Sequence, residues 1–586
     1  MNGRRRHVAR RVSLLMGLLV ASCTTGETVA PTTSTTTITT TTSTPPADDP
    51  APAVAGVEQG SDVVEIYERF ELVVDMDAEF ENPFDQREVT LDASFTGPDG
   101  SSYAVPGFWD ARDSWRLRFT PPAVGAWDYR VTVTDHRGTS SPLSGSFEVV
   151  QGERRGWLQI GSDVDATYSP RYLAYSDGTP WYGRGHADLD MALGGPDPDG
   201  GLRIFNLMPE RGENFVMWWP TWGSNFIQAD YSRYSPAQLE VIDYLLEEAE
   251  AANATVTFTV WTHQYLRTGN HPWGDARWRH NGFSLLTDIE GFFVDGESLA
   301  WQENYYRYVI ARYAHSPAIA MWQTITEING SESYDQTNPW HERMNRYFQE
   351  NDPYRHPTTA TRSGWVDWPE GHEVMDMPQV HLYHELRDPI EMGAQVAEWT
   401  SRMWARAARP NWIGEYGLEG QQYYPELMHH ANWAALAAGA AITPIEWNDG
   451  GGFGRFDEEM GADMARLARF VEEVPLVTYD PETVEISPSE PMLRGWGVVG
   501  ESGGLIWVQD FSLEGGTMDE VRGNQTIWSG ASLVVTGVPE GAWTIRPYDT
   551  WSGEWLAQTS VECGAAECSI PLPDFSSDLA IALERP

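Results

Sequence analysis

The chain has 586 residues, more than a single hydrophobic core ordinarily spans, so its length points to several domains. A formal charge of -46 and a pI near 4.5 argue against a phosphate backbone as partner, since clustered cations hold one, and no nucleic-acid partner is expected. All 39 basic residues are Arg, and a chain without Lys has no Schiff-base lysine, pyridoxal anchor or P-loop.

At the N-terminus, Arg4, Arg5, Arg6, Arg10 and Arg11 precede the apolar run Val12 to Val20 and then Ala21-Ser22-Cys23, the layout of a secretory signal. Val20 to Cys23 resembles the bacterial lipobox. That resemblance implies a signal over residues 1–23, a lipid on Cys23, and a protein held at the extracellular face of a bacterial membrane; an ordinary secretory signal is the alternative. Residues 24–58, rich in Thr, Ser and Pro, are too polar and repetitive to pack and read as a flexible tether.

Residues 59–152 alternate apolar and polar side chains over short runs such as Phe70 to Asp75, Val89 to Phe95 and Trp127 to Val133. Turns such as Gly97-Pro98-Asp99-Gly100 separate them, which predicts an antiparallel β-sandwich acting as a brace. Gly107 to Asp110, Ser114 to Thr120 and Val124 to Tyr129 resemble the immunoglobulin-like domain of unknown function that precedes the barrel of many bacterial glycoside hydrolases. Residues 156–474 change rhythm to strand, loop and amphipathic helix, and predict a central (β/α)8 TIM barrel. Its strands are expected at Trp181 to Gly185, Phe215 to Trp219, Val256 to Trp261, Ile319 to Ile325, Pro357 to Arg362, Pro378 to Tyr383, Trp412 to Glu415 and Ile442 to Trp447. Residues 475–586 return to short strands and predict a second sandwich. Its stretch Tyr548 to Glu554 resembles a nominally collagen-binding domain of some barrel hydrolases, and Cys563 and Cys568 are spaced for a local disulfide.

Two apolar strands end on a carboxylate: Ala318 to Ile325 runs to Glu327, and Trp412 to Gly414 runs to Glu415. A parallel barrel builds its active site where strands end, and a pair of carboxylates is what glycosidic cleavage needs. Trp322, Glu327, Ile328 and Gly330, with Gly414-Glu415-Tyr416-Gly417, resemble the clan A glycoside hydrolases, family 5 in particular. The resemblance implies a retaining mechanism with Glu327 as acid/base, Glu415 as nucleophile, Tyr383 orienting the nucleophile and Trp447 flooring the sugar site. Where the clan carries Asn before its acid/base, this chain has Thr326, and Asn329 is a candidate substitute. Glu415, held by Tyr383, is expected to be ionised, and Glu327, among apolar neighbours, to keep its proton.

Further sugar contacts are expected at strand ends: His186, Asp188, Trp218, Trp219, Trp222, Trp261, His263, Arg362, Trp365, Trp368, His381, His384, Asn448 and Asp449. No H-E-x-x-H spacing accompanies the histidines, so neither a metal nor another cofactor is expected. Glu446 is the rival catalytic carboxylate, and alternation with Trp447 turns it away from the axis. The partner is a carbohydrate. The reading from another class is a surface carbohydrate-binding protein on a degenerate barrel, which would hold glycans without cutting them.

Overall fold

In the computed structural model, the described residues are 50–186, 205–220, 228–270, 273–364, 367–384, 389–418, 425–447 and 458–586. Cys23 lies outside them. The first sheets form where the sequence alternates. Ala53–Gln59, Phe70–Asp77, Trp115–Phe119 and Phe108–Trp109 make one antiparallel layer. A second sheet is built around Gly125–Asp135, flanked by Thr90–Thr96 and Leu143–Val150. Phe70, Leu72, Phe95, Leu117, Phe119, Trp127 and Phe147 are buried between them. All of the strand Ala53–Gln59 but its last residue lies inside the stretch expected to be tether, because it finds a partner in Phe70–Asp77.

The central segments are parallel. We label them β1 (Pro180–Trp181), β2 (Phe215–Trp218), β3 (Thr255–Thr262), β4 (Ile319–Thr326), β5 (Thr358–Thr359), β6 (Gln379–His384), β7 (Trp412–Leu418) and β8 (442–446). Neighbours β2 to β5 pair in order, as do β6 and β7. The remaining joints are Phe215 N–H to Arg184 O, Met377 N–H to Thr358 O, and the bridges Tyr416 to Glu446 and Gly183 to Ile442. The hydrogen bonds therefore run through all eight segments and return to the first. Every residue of β3 and of β4 is buried, the condition of a parallel strand covered on both faces.

Helices α1 (Pro236–Ala251), α2 (Gly296–Tyr313), α3 (Thr337–Asn351), α4 (Pro389–Arg406), α5 (Pro425–Ala438) and α6 (Glu458–Glu473) follow β2, β3, β4, β6, β7 and β8. Helix α1 shows why: Pro236 starts it, where a missing N–H costs nothing. Its buried residues Leu239, Ile242, Leu245, Leu246 and Ala249 then recur every three or four positions.

The N-terminal sheets are bolted to this helix layer. Asp243 of α1 receives both Arg118 (2.8 Å) and Arg312 of α2 (2.5 Å), and Asn304 of α2 donates to Phe84 O at 2.6 Å. After 475, Leu493–Val499, Gly503–Asp510, Gly541–Asp549 and Asp578–Glu584 form another antiparallel sheet, and Cys563 is joined to Cys568 across a tight turn. Its anchor on α5 is ionic. His429 lies 2.7 Å from Asp463 and 2.9 Å from Asp578, with Trp551 stacked on its ring at 3.9 Å.

Candidate active site

Strand β4 ends by turning sharply. Glu327 takes φ 53°, ψ 52°, a left-handed conformation that costs a residue with a Cβ roughly 1–3 kcal/mol. Two contacts from the end of β5 hold it there: the Glu327 N–H donates to Thr361 Oγ1 at 2.8 Å, and the Ile328 N–H donates to Thr361 O at 2.9 Å.

Glu415 arrives within β7, paired with His381 of β6. Gly414 precedes it for a steric reason, since a Cβ there would lie 1.6 Å from Gln379 Oε1 and 3.2 Å from His381 Nε2. His381 Nδ1 sits between the two carboxylates, 2.9 Å from Glu327 Oε1 and 3.1 Å from Glu415 Oε2. One oxygen of each carboxylate and this nitrogen lie within 4.8 Å of one another. The Tyr383 hydroxyl donates to Glu415 Oε2 at 2.5 Å. Glu415 Oε1 is buried without a hydrogen-bond partner among the described residues.

The protonation pattern differs from the sequence expectation. Burial pushes Glu327 up, but the hydrogen bond and charge of His381, with His263 and the Ser363 hydroxyl behind them, outweigh it and hold the carboxyl at about 2. Burial raises Glu415, and the nearby Glu327 charge adds to the rise against His381. Burial would lower His381, yet two facing carboxylates carry it to about 9. His263, 3.6 Å from Glu327 and wholly buried, falls to about 4 and stays neutral. The resting site is thus a protonated His381 shared by two acids, with Glu327 the readily ionised one. Glu327, His381 and Glu415 are also a set able to surround a cation, though the imidazolium satisfies them as they stand.

Other expected contacts divide. Trp219 stacks on Trp447, centroids 5.1 Å apart and planes 24° apart, so the ends of β2 and β8 share an aromatic shelf. His186 is buried and bound through Nδ1 to Glu213. Arg362, partly buried, reaches Asp367 O at 3.4 Å. Thr326 is wholly buried, its hydroxyl without a partner among the described residues.

Four candidates are corrected. Trp218 packs on Phe258, one residue out of phase with Trp219. Trp261 lies among Phe283, Phe292 and Tyr305 and donates to Tyr306 Oη. Trp368 is buried against His341 and donates to Asn338. Asn329 cannot stand in for the clan's asparagine, because its amide exchanges two hydrogen bonds with the Ser363 backbone. Asp188, Trp222, Trp365, Asn448 and Asp449 lie outside the described residues, and of His384 only the backbone is described.

Sequence reasoning missed Trp273, whose indole N–H donates to Glu327 Oε2, and Thr361. The Trp-Gly pair inside the long segment after β3 was the available signal for the first.

A family model described as a domain of unknown function (DUF5060) matches residues 63–134. No curated protein sequence matches the chain. Among solved structures, a candidate glycoside hydrolase from Bacteroides vulgatus ATCC 8482 superposes with a TM-score of 0.63 at 16% identity, covering 90% of this chain and 100% of its own. This chain therefore has a glycoside-hydrolase-like fold. A family 5 glycoside hydrolase from the same organism gives 0.48 at 12% identity, covering 73% and 94%. An endo-1,4-beta-mannanase from Rhizomucor miehei gives 0.41 at 16%, covering 54% and 100%, and both superpose too loosely to bear on the fold.

Proposed function

We propose that this chain is a retaining glycoside hydrolase that cleaves O-glycosidic bonds of a polysaccharide or oligosaccharide by double displacement. Its central residues 156–474 form a (β/α)8 TIM barrel between the two β-sandwiches. The observation that carries the reading is the approach of Glu327 and Glu415 oxygens within 4.8 Å, at the ends of β4 and β7, which suits a nucleophilic rather than a water-spaced inverting pair.

Tyr383 and His381 both engage Glu415 Oε2, leaving Oε1 as the oxygen that attacks the anomeric carbon. The leaving oxygen takes its proton from Glu327. His381 carries the nearest proton, 2.9 Å from Glu327 Oε1, and can supply it as attack by Glu415 removes one of the two charges that hold it. Water then resolves the glycosyl-enzyme with Glu327 as base. The Trp219–Trp447 shelf supplies an aromatic face for a sugar ring.

A panel of plant, algal and microbial glycans read by reducing-end release, with proton NMR of the first-formed anomer, tests this. Cleavage with retention is expected. Binding without product would favour a surface carbohydrate-binding protein instead, and inversion would remove the double displacement. Glu327→Gln should spare aryl glycosides with acidic leaving groups, which depart unprotonated, whereas Glu415→Gln should abolish all turnover. We further propose that Cys23 is lipidated and anchors the protein outside the cytoplasm. Loss of membrane-fraction recovery in Cys23→Ser is the expected result, and unchanged recovery would contradict it.

A further inference from the structure

Both oxygens of Glu327 accept a hydrogen bond: Oε1 faces His381, and Oε2 takes the indole N–H of Trp273. The loop that delivers Trp273 is closely specified. Gly274 follows it at φ +67°, and a Cβ there would lie 3.1 Å from Arg267 Nη2 and 3.3 Å from Gln264 Nε2. The Ala276 N–H donates to Asn270 Oδ1 at 2.8 Å and the Arg277 N–H to Gln264 O at 2.7 Å, closing the loop on the residues after β3. From the other side, Gly330 leaves room for two rings, since a Cβ would lie 2.6 Å from His263 and 3.1 Å from Trp273. The two rings are 5.5 Å apart.

A general acid carries its proton on one of these two oxygens, and once His381 gives its proton to Oε1 the carboxyl keeps one donor, the indole on Oε2. His381 is wholly buried and also bound to Glu415. Trp273 is partly exposed, sits on a loop, and makes its hydrogen bond to Glu327 alone. Of the two, Trp273 is the donor whose hydrogen bond outlasts that transfer.

We propose that Trp273 is a positioning residue for proton transfer: it holds Glu327 Oε2 in place while Oε1 takes the proton of His381 and passes it to the leaving oxygen of a bound glycan. This rests on the reading of Glu327 as acid/base. Losing a donor to a carboxylate favours its protonated form, so Trp273→Phe, which keeps a ring and removes the N–H, should raise the proton affinity of Glu327 about tenfold, or one pH unit.

The test is a titration of full-length protein carrying δ-13C-glutamate, with the Glu327 resonance assigned by its loss in Glu327→Gln. The expected result is an upward move of the Glu327 midpoint by about one unit in Trp273→Phe, with the Glu415 midpoint and the melting temperature unchanged. An unmoved Glu327 midpoint, or equal moves of both carboxyls, overturns the proposal. Should Trp273→Phe fail to fold, the indole N–H resonances of Glu327→Gln decide: one should move upfield on losing its carboxylate acceptor, and a set of indole resonances identical to the wild type overturns the proposal. Neither readout needs substrate, so a glycan panel without cleavage would sink the hydrolase reading and leave these results standing.

Discussion

Replacing Thr361 by Val removes one oxygen and keeps the side chain's shape, at a wholly buried position whose own N–H still reaches Ile325 O at 3.2 Å. That oxygen accepts the Glu327 N–H, and without it a buried donor is left unpaired, at a cost of about 1–3 kcal/mol. The chain can recover part of this by relaxing Glu327 out of its left-handed conformation, worth a similar 1–3 kcal/mol. The expected net loss of stability is therefore modest, about 1–2 kcal/mol. The relaxation displaces the carboxyl, and a shift approaching 1 Å costs roughly a hundredfold in rate. Urea unfolding gives the first quantity, and kcat on the glycan found in the panel gives the second. Thr361→Ser is the control: it keeps the hydroxyl and should lose under about 1 kcal/mol for its missing methyl, with near-native kcat. Equal kcat in Thr361→Val and the wild type would refute the claim that this hydroxyl fixes the acid/base.

Tyr383→Phe should lower kcat by roughly ten- to a hundredfold by releasing Glu415 Oε2, with little change in melting temperature; an unchanged kcat would remove Tyr383 from the site. His381 has its folded pKa raised to about 9 from 6.5, so its contribution to stability is complete below pH 6.5 and is lost as pH rises through 9. Urea midpoints of the wild type should fall across that window more steeply than those of His381→Gln, and parallel curves would contradict this. His429→Ala removes the imidazolium shared by Asp463 and Asp578, leaving Asp463 its Arg466 and Asp578 its hydroxyl and indole donors, and should cost about 1.5–3 kcal/mol in urea unfolding; a loss below 1 kcal/mol would show that His429 does not anchor the C-terminal sheet to α5.

Glu327 and Glu415 were legible because an apolar run that stops at an acid is a strand delivering a functional group to an edge. The tryptophans were harder. In a parallel strand buried on both faces, apolar pattern does not say which face meets the axis and which the helices, so Trp218 and Trp219 look alike in sequence and part company in space. The protonation pattern was out of reach for a different reason. It depends on His381 Nδ1 lying between two acids, and that follows from the pairing of β6 with β7 across a register shift. Thr361 and Trp273 act on Glu327 from 34 and 54 residues away, and neither belongs to an apolar run that ends on an acid.

The central claim is that Glu415 becomes bonded to the sugar. Incubation with electrophilic cyclitol epoxides of several sugar configurations, followed by peptide mass spectrometry, tests it most directly. A single adduct on the peptide containing Glu415, absent in Glu415→Gln and present in Tyr383→Phe at a reduced rate, is the predicted result. An adduct on Glu327 or Glu446 with Glu415 unmodified would contradict it.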